Sequence, residues 1–332
     1  MSIIDAPLVA DNLAKHDMQA EAQFREAPWD AKRLVLKLQL TKQIYENKKK
    51  GIDSSVIVYD ETDKKQVYSY NTEYVHWAAS LSKLFVTSLL LDDVRAGKVN
   101  LDTVISWDPS DRRAGAGIYD SDNSPTSATI RDVLFDMLNK SGNTAVRAIV
   151  NKVLGGATAV NARYEQMPEL KVTRLEPIDA SRFLLGYTTP KEVDFILNKL
   201  YHQTDANAAF VKNALATNIF NDYGPRSQVK DPSIITVMDK QGQLNDPEGN
   251  NRHDVGVIEN SKNGHKLRYV LMTTNYEQPA GEVTNYATTS LQEFGKDMLR
   301  FEGDRTPKPT EEAPTLKLQQ TTQSIENGRT VY

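Results

Sequence analysis

The chain contains no cysteine, which excludes disulfides, thiolate nucleophiles and cysteine-held metals together. Its five histidines, His16, His76, His202, His253 and His265, are scattered without His-Glu-x-x-His or a comparable spacing. No metal or cofactor is therefore expected. Basic charge is not in excess: 40 Lys and Arg stand against 44 Asp and Glu, so no field gathers nucleic-acid phosphates or an anionic membrane. No apolar run reaches the length of a membrane span, and residues 1–30 hold no basic start followed by an apolar core. The chain reads as one without a span or an export signal. What remains is 332 residues, 39% hydrophobic and 25% charged, enough for a soluble globular protein with a large core in one domain or two lobes. Its expected partner is a small-molecule or peptide substrate, met by a monomer.

Periodicity divides the chain into blocks. Residues 1–29 are polar and mixed, a flexible lead-in. Asp30 to Lys50 reads as a helix, with Asp30 at its start, apolar Leu34, Leu36, Leu38, Leu40 and Ile44, and Lys48-Lys49-Lys50-Gly51 at its end. Ser54 to Tyr59 and Gln66 to Tyr70 flank turn-forming residues and predict a hairpin. From Trp77 to about Asn221 the pattern is mainly helical, with helices expected from Ser80, Thr129, Asn143, Ala157, Pro190 and Ala206, and a short extended piece around Val104 and Ile105. Three strands follow, over 234–239, 254–259 and 267–274, and an amphipathic helix closes the fold over 289–301. This order predicts an α/β (α+β) fold. A discontinuous mixed-sheet domain, 30–76 and 222–302, is flanked by terminal helices and interrupted by an all-helical domain, 77–221. Residues 303–332, rich in Pro, Thr, Glu and Gln, read as a disordered tail.

The helix beginning at Ala79-Ser80-Leu81-Ser82-Lys83 carries the first chemical signal. Ser80 falls in its first turn, near unpaired backbone N–H groups and the positive end of the helix dipole, and Lys83 lies on the same face three residues on. A neutral lysine amine in that place can take the serine proton, directly or through water, so that Ser80 attacks a carbonyl. One Ser-x-x-Lys match is weak. Ser227-Gln228-Val229-Lys230 has the same spacing in this chain, and an N-cap serine beside a solvated lysine looks identical.

Two further stretches add weight: Ser141-Gly142-Asn143 between two helices, and Lys240-Gln241-Gly242-Gln243 at the end of a strand. In this order and at this spacing, the three sites resemble the Ser-x-x-Lys, Ser-Asp-Asn and Lys-Thr-Gly set of class A β-lactamases and the related penicillin-binding proteins. Flanking residues extend the resemblance over roughly residues 33–301, through Thr129 to Leu134, Lys140 to Ala145, Thr173-Arg174-Leu175, Thr188-Thr189-Pro190 and Asp254 to Val257. Ser121-Asp122-Asn123 spells the second motif literally but lies in a polar loop, so the flanks favour Ser141. The resemblance implies a β-lactamase-like fold and an acyl-enzyme mechanism. Ser80 would be the nucleophile, Lys83 its base and Ser141 a hydroxyl relay to the leaving nitrogen. Asn143 would position Lys83 and substrate, Lys240 would supply positive charge, and the backbone N–H groups of Ser80 and Gln243 would hold the oxyanion. Arg252 stands where some members bind a carboxylate, or is an exposed turn arginine. The family also implies an extracytoplasmic location.

Departures bear on the chemistry. Gln241 replaces a hydroxyl residue, Gln243 a smaller one, and both would narrow the cleft and alter carboxylate recognition. Gly142 replaces a carboxylate that supports the loop in the family. The loop that carries the deacylating glutamate in class A β-lactamases is short here, and Glu176 matches either that general base or a structural acidic residue. The leading expectation is a serine hydrolase of a β-lactam or related amide or ester. A D-alanyl-D-alanine peptidase with slow deacylation, and a non-catalytic binding protein keeping the fold, are the alternatives.

Overall fold

A computed structural model describes residues 29–176, 186–246, 249–275 and 286–303. The expected lead-in and tail lie outside the described residues, apart from their innermost positions.

Helix α1, Trp29–Lys49, carries Asp30 in its first turn and Lys48 and Lys49 in its last, opposite in sign to the helix dipole at each end. Its apolar residues divide between two faces. Leu36, Leu40 and Ile44, at i, i+4 and i+8, are buried, whereas Leu34 and Leu38 face solvent. After α1 come the hairpin strands β1, Ile52–Asp60, and β2, Lys65–Tyr70. Late in the chain come β8, Ile235–Asp246, β9, Gly249–Asn260, and β10, His265–Asn275, followed by helix α8, Tyr286–Gly303. These five strands form one sheet in the order β2-β1-β10-β9-β8. Pairing of Ile52 with Asn275 and of Asp60 with Leu267 joins the two distant halves of the chain. The sheet expected as mixed is antiparallel in every ladder, because its late strands follow one another as hairpins.

Side chains alternate across the sheet, and both faces are covered. Val56, Val58, Tyr269 and Leu271 pack with Leu36 and Leu40 of α1 and Phe294 and Met298 of α8. Ile57, Val255, Val257, Val270 and Met272 join the larger core of the helical block. A buried polar cluster ties the terminal elements to this sheet. His265 bonds Glu302 through Nδ1 at 2.6 Å and Asp60 through Nε2 at 3.0 Å, and Arg33 bonds the other Asp60 oxygen at 3.1 Å.

The helical block contains α2, Ser82–Arg95; α3, Ile130–Asn139; α4, Asn143–Lys152; α5, Ala157–Glu165; α6, Pro190–His202; and α7, Ala206–Ala216. Local chemistry sets several starts. Thr129 accepts from the Asp132 N–H, Thr189 accepts from Glu192 with Pro190 in the first turn, and Asp205 accepts from Asn207 and Ala208. Helix α2 is buried on nearly every side, as its apolar residues Leu84 to Val86 and Leu89 to Leu91 require, with the small Thr87 and Ser88 between them buried too.

The extended piece expected near Val104 is strand β4, Val104–Ser106. Four other short strands escaped the sequence reading: β3, His76–Trp77; β5, Ser127–Thr129; β6, Arg174–Leu175; and β7, Gly186–Thr188. Two or three residues are too few to display a period of two. They form the small sheets β4-β5 and β3-β7-β6, the latter leading into the turn that carries Ser80. No described helix is long and apolar enough to cross a membrane.

Candidate active site

Ser80 sits in a single 3₁₀ turn, Ala79–Leu81, that runs directly into α2. Ala79 has a φ of +47°, in the left-handed region, and is fully buried. A side chain with a Cβ there costs roughly 1–2 kcal/mol, and alanine, lacking atoms beyond Cβ, keeps the cost at that floor. The Ser82 hydroxyl donates to the Ala79 carbonyl at 2.9 Å and braces the bend. Lys83, one helical turn after Ser80, brings its Nζ to 2.9 Å from Ser80 Oγ.

Lys83 Nζ meets four oxygens: Ser80 Oγ at 2.9 Å, the Ser141 carbonyl at 2.6 Å, Ser141 Oγ at 3.0 Å and Asn143 Oδ1 at 3.0 Å. Asn143 Nδ2 donates to the Ala114 carbonyl at 2.8 Å, which fixes its amide so that Oδ1 faces the lysine. The Ser141 carbonyl and Asn143 Oδ1 can only accept. They take both N–H groups of a neutral amine, and its lone pair is left for a hydroxyl donated by Ser80 or Ser141. Burial, aided by the nearby Lys240 ammonium, holds the Lys83 amine well below the usual lysine range, against the opposing pull of Asp120 and Asp136. The environment thus favours the form that can accept a proton.

Ser141 also has a left-handed backbone, φ +56°, where α3 hands over to α4, and this turns both its carbonyl and its hydroxyl toward Lys83. On the far side, Lys240 of β8 donates to Ser141 Oγ at 3.0 Å and to the Gln241 carbonyl at 2.8 Å. Burial pushes Lys240 down to about 7, although the buried carboxylates of Asp239 and Asp254 pull the other way. Asp239 is fixed beneath the strand: Oδ1 accepts from Arg226 Nε at 2.9 Å and from Asn218 at 2.6 Å, and Oδ2 accepts from Gln241 Nε2 at 2.8 Å.

Two carboxylates stand in for the one missing at Gly142. Asp120 accepts from the backbone N–H groups of Gly117 at 2.9 Å, Asn143 at 3.1 Å and Thr144 at 2.8 Å, so it caps α4 and closes the 113–120 loop. Asp136, fully buried in α3, accepts from Ile118 N–H at 2.7 Å. A Cβ on Gly142 would lie 2.1 Å from Asp136 Oδ2, so the space beside residue 142 is already filled by a carboxylate delivered from one element upstream. Sequence reasoning missed both. The available signal for Asp136 was a charge at the margin of the apolar stripe formed by Ile130, Val133, Leu134 and Met137.

A cleft of about 320 Å³ opens over these groups. Ser80, Ser141, Asn143, Lys240, Gln241 and Gln243 line it, together with Gly115, Ala116, Phe220, Tyr223, Leu244 and Asn245. Tyr223 donates to Gln243 Oε1 at 2.5 Å, so the exposed Gln243 side chain belongs to the rim. Gly242, between Gln241 and Gln243, lies where a Cβ would come within 3.0 Å of His253 and 3.2 Å of Leu81, a close approach that brings edge strand β8 beside the Ser80 turn. The other two expected site residues stand apart from the described lining. Glu176 is ion-paired to Arg174 at the end of β6. Arg252 is buried on β9, with Nη1 donating to the carbonyls of Asn251 at 2.8 Å and Leu244 at 3.4 Å. Ser121 lies in its loop, its carbonyl accepting from Ser124. Among the described residues no group of three His, Asp or Glu is placed to hold a metal.

The family model of the β-lactamase enzyme family matches residues 36–299. No curated protein sequence matches the chain. Among solved structures, a point mutant of PBP-A, in its acyl-enzyme complex with penicillin G, superposes with a TM-score of 0.68 at 16% identity, covering 81% of this chain and 97% of that one. A β-lactamase from Sphaerobacter thermophilus gives 0.66 at 17%, covering 81% and 98%. An ancestral (GNCA) class A β-lactamase gives 0.65 at 20%, covering 80% and 98%. At these identities the structural likeness establishes the fold.

Proposed function

Because this chain belongs to the β-lactamase enzyme family, we propose that it is a serine hydrolase that forms an acyl-enzyme on Ser80 from a β-lactam or related amide or ester. The observation that carries the reading is the buried Lys83 amine, 2.9 Å from Ser80 Oγ, with both its N–H groups matched to oxygens that can only accept. As the Ser80 Oγ–C bond forms, the hydroxyl proton moves to Lys83 Nζ and the carbonyl π electrons become an oxyanion. The backbone N–H groups of Ser80 and Gln243 receive that charge. Collapse of the oxyanion breaks the C–N or C–O bond. The departing atom takes its proton from the Ser141 hydroxyl, which is resupplied by Lys83 at 3.0 Å while Lys240 steadies it from the other side. Water later hydrolyses the ester.

The second step is the slow one in this reading. No carboxylate is found among the described residues that line the cleft, and Glu176 is engaged by Arg174. This favours the long-lived adduct of a penicillin-binding protein over rapid turnover. Intact-protein mass after mixing with a fluorophosphonate and, separately, a penicillin tests both parts. A label on the native chain and none on Ser80→Ala is expected, with the penicillin adduct decaying no more than about twofold differently in Glu176→Gln. Labelling of Ser80→Ala would end the reading, and an adduct that decays quickly and persists only in Glu176→Gln would restore that residue as deacylating base.

The two lysines also fix a pH response. The base form of Lys83 exists above its pKa, so acylation falls as pH drops through that value. The Lys240 ammonium lowers that pKa. Lys240→Met is therefore expected to move the acid limb of the labelling rate to higher pH. An unmoved or downward-shifted limb would mean that Lys83 is not the titrating base.

A further inference from the structure

Resting on the Ser80 acylation reading, we infer that the cleft accepts acyl donors that carry no carboxylate beside the reacting carbonyl, namely neutral amides or esters.

A carboxylate leaving water needs charge-assisted partners, best as the paired N–H groups of a guanidinium. Of the described residues lining the cleft, Lys240 alone carries positive charge. Two of its N–H groups go to Ser141 Oγ and the Gln241 carbonyl, and the nearby buried Asp239 and Asp254 offset its charge. Arg252 supplies no fork to the cleft: it is 6% exposed, is absent from the lining and has Nη1 on two backbone carbonyls.

The strand beside Lys240 carries an uncharged amide. Gln241 is buried, and its amide nitrogen is tethered to Asp239 Oδ2 at 2.8 Å, which sets the direction of the carboxamide. Its Oε1 is left buried without a hydrogen-bond partner. An amide oxygen held there without a donor adds negative partial charge behind the wall and disfavours an anion beside it. Phe220, Tyr223, Leu244 and Ala116 add apolar or aromatic surface, and Asn143, Gln243 and Asn245 add uncharged amides, a lining that favours a neutral ligand. A peptide ending in a free carboxylate next to the scissile bond is thus a poor fit.

Matched probes test this. Ser80 adduct formation is timed by intact-protein mass with benzylpenicillin and its methyl ester, and with mono-nitrophenyl succinate and its methyl ester; a fluorophosphonate reports nucleophile competence. The neutral member of at least one pair is expected to react roughly tenfold faster or more, the loss of one charged hydrogen-bonding requirement. Gln241→Thr, which replaces the tethered carboxamide by a hydroxyl that can donate to a carboxylate, is expected to shrink that preference. Equal rates, or faster reaction of the acids, would overturn the inference, as would no reaction of either pair while the fluorophosphonate labels Ser80. If the fluorophosphonate also fails to label Ser80, the parent reading falls instead.

Discussion

Lys83→Met is expected to slow acylation of Ser80 by about 10²–10⁴-fold, the range removed when a positioned general base is lost. Among the described hydrogen bonds, Nζ is the nitrogen that reaches Ser80 Oγ, and its environment holds it toward the neutral form. Methionine nearly matches the lysine stem in volume and shape, so the core around α2 should keep its packing. Lys83→Arg separates two roles. Guanidinium keeps donors for Ser141 and Asn143 but stays charged, so a base requirement predicts that it fails as badly as methionine. Fluorophosphonate labelling rates, with thermal unfolding as a check on the fold, decide the matter. Recovery of most of the rate in Lys83→Arg would show that the lysine acts only by hydrogen bonding.

The other large effect concerns the carboxylate beside the second motif. Gly142→Asp restores the familiar spelling of that motif, yet it is expected to destabilise the chain by about 2–4 kcal/mol, through overpacking and through a second buried acid. The new Cβ would sit 2.1 Å from Asp136 Oδ2 and 3.1 Å from the Ala145 Cβ. Asp136→Ala alone should also be harmful, because Ile118 N–H loses its acceptor and the 113–120 loop its anchor. The pair is expected to be better than the sum. Removing the Asp136 carboxylate clears the space into which the introduced side chain would grow, giving a coupling of about 1–3 kcal/mol in favour of the double variant. Denaturant unfolding of the four proteins, with labelling rates alongside, measures it. Simple additivity would mean that the two positions do not share one carboxylate site.

Much of the fold could be read from pattern. The helix starts at Thr129, Pro190 and Ala206 carry their own caps, and β1 and β10 are apolar on both faces because both sides of the sheet are buried. Strand β8 ran longer than expected because Lys240, Gln241 and Gln243 break the apolar signal while the ladder continues through the pairing of Gln243 with Arg252. Their polarity serves the cleft, and periodicity reads such residues as a strand end. In the site, the spacing of Ser80 and Lys83 was legible because one helical turn fixes it. Lys83 meets Ser141 and Asn143 across 58 and 60 positions, and Ser141 meets Lys240 across another 99; resemblance alone brought these together in the sequence. Resemblance also hid something. It made Gly142 read as a loss, whereas the carboxylates of Asp120 and Asp136 occupy the same neighbourhood from elsewhere in the chain. Arg252 showed the opposite limit: its register matched a ligand-binding position, but side-chain direction and burial are set by neighbours that sequence does not display.

The most direct measurement is peptide-level mass of the adduct formed by a fluorophosphonate and by the preferred neutral acyl donor, followed over time at neutral pH. One modification is expected, on Ser80, lost in Ser80→Ala and slowed strongly in Lys83→Met. Modification of another serine, or an adduct on Ser80 that forms at the same rate without Lys83, would contradict this.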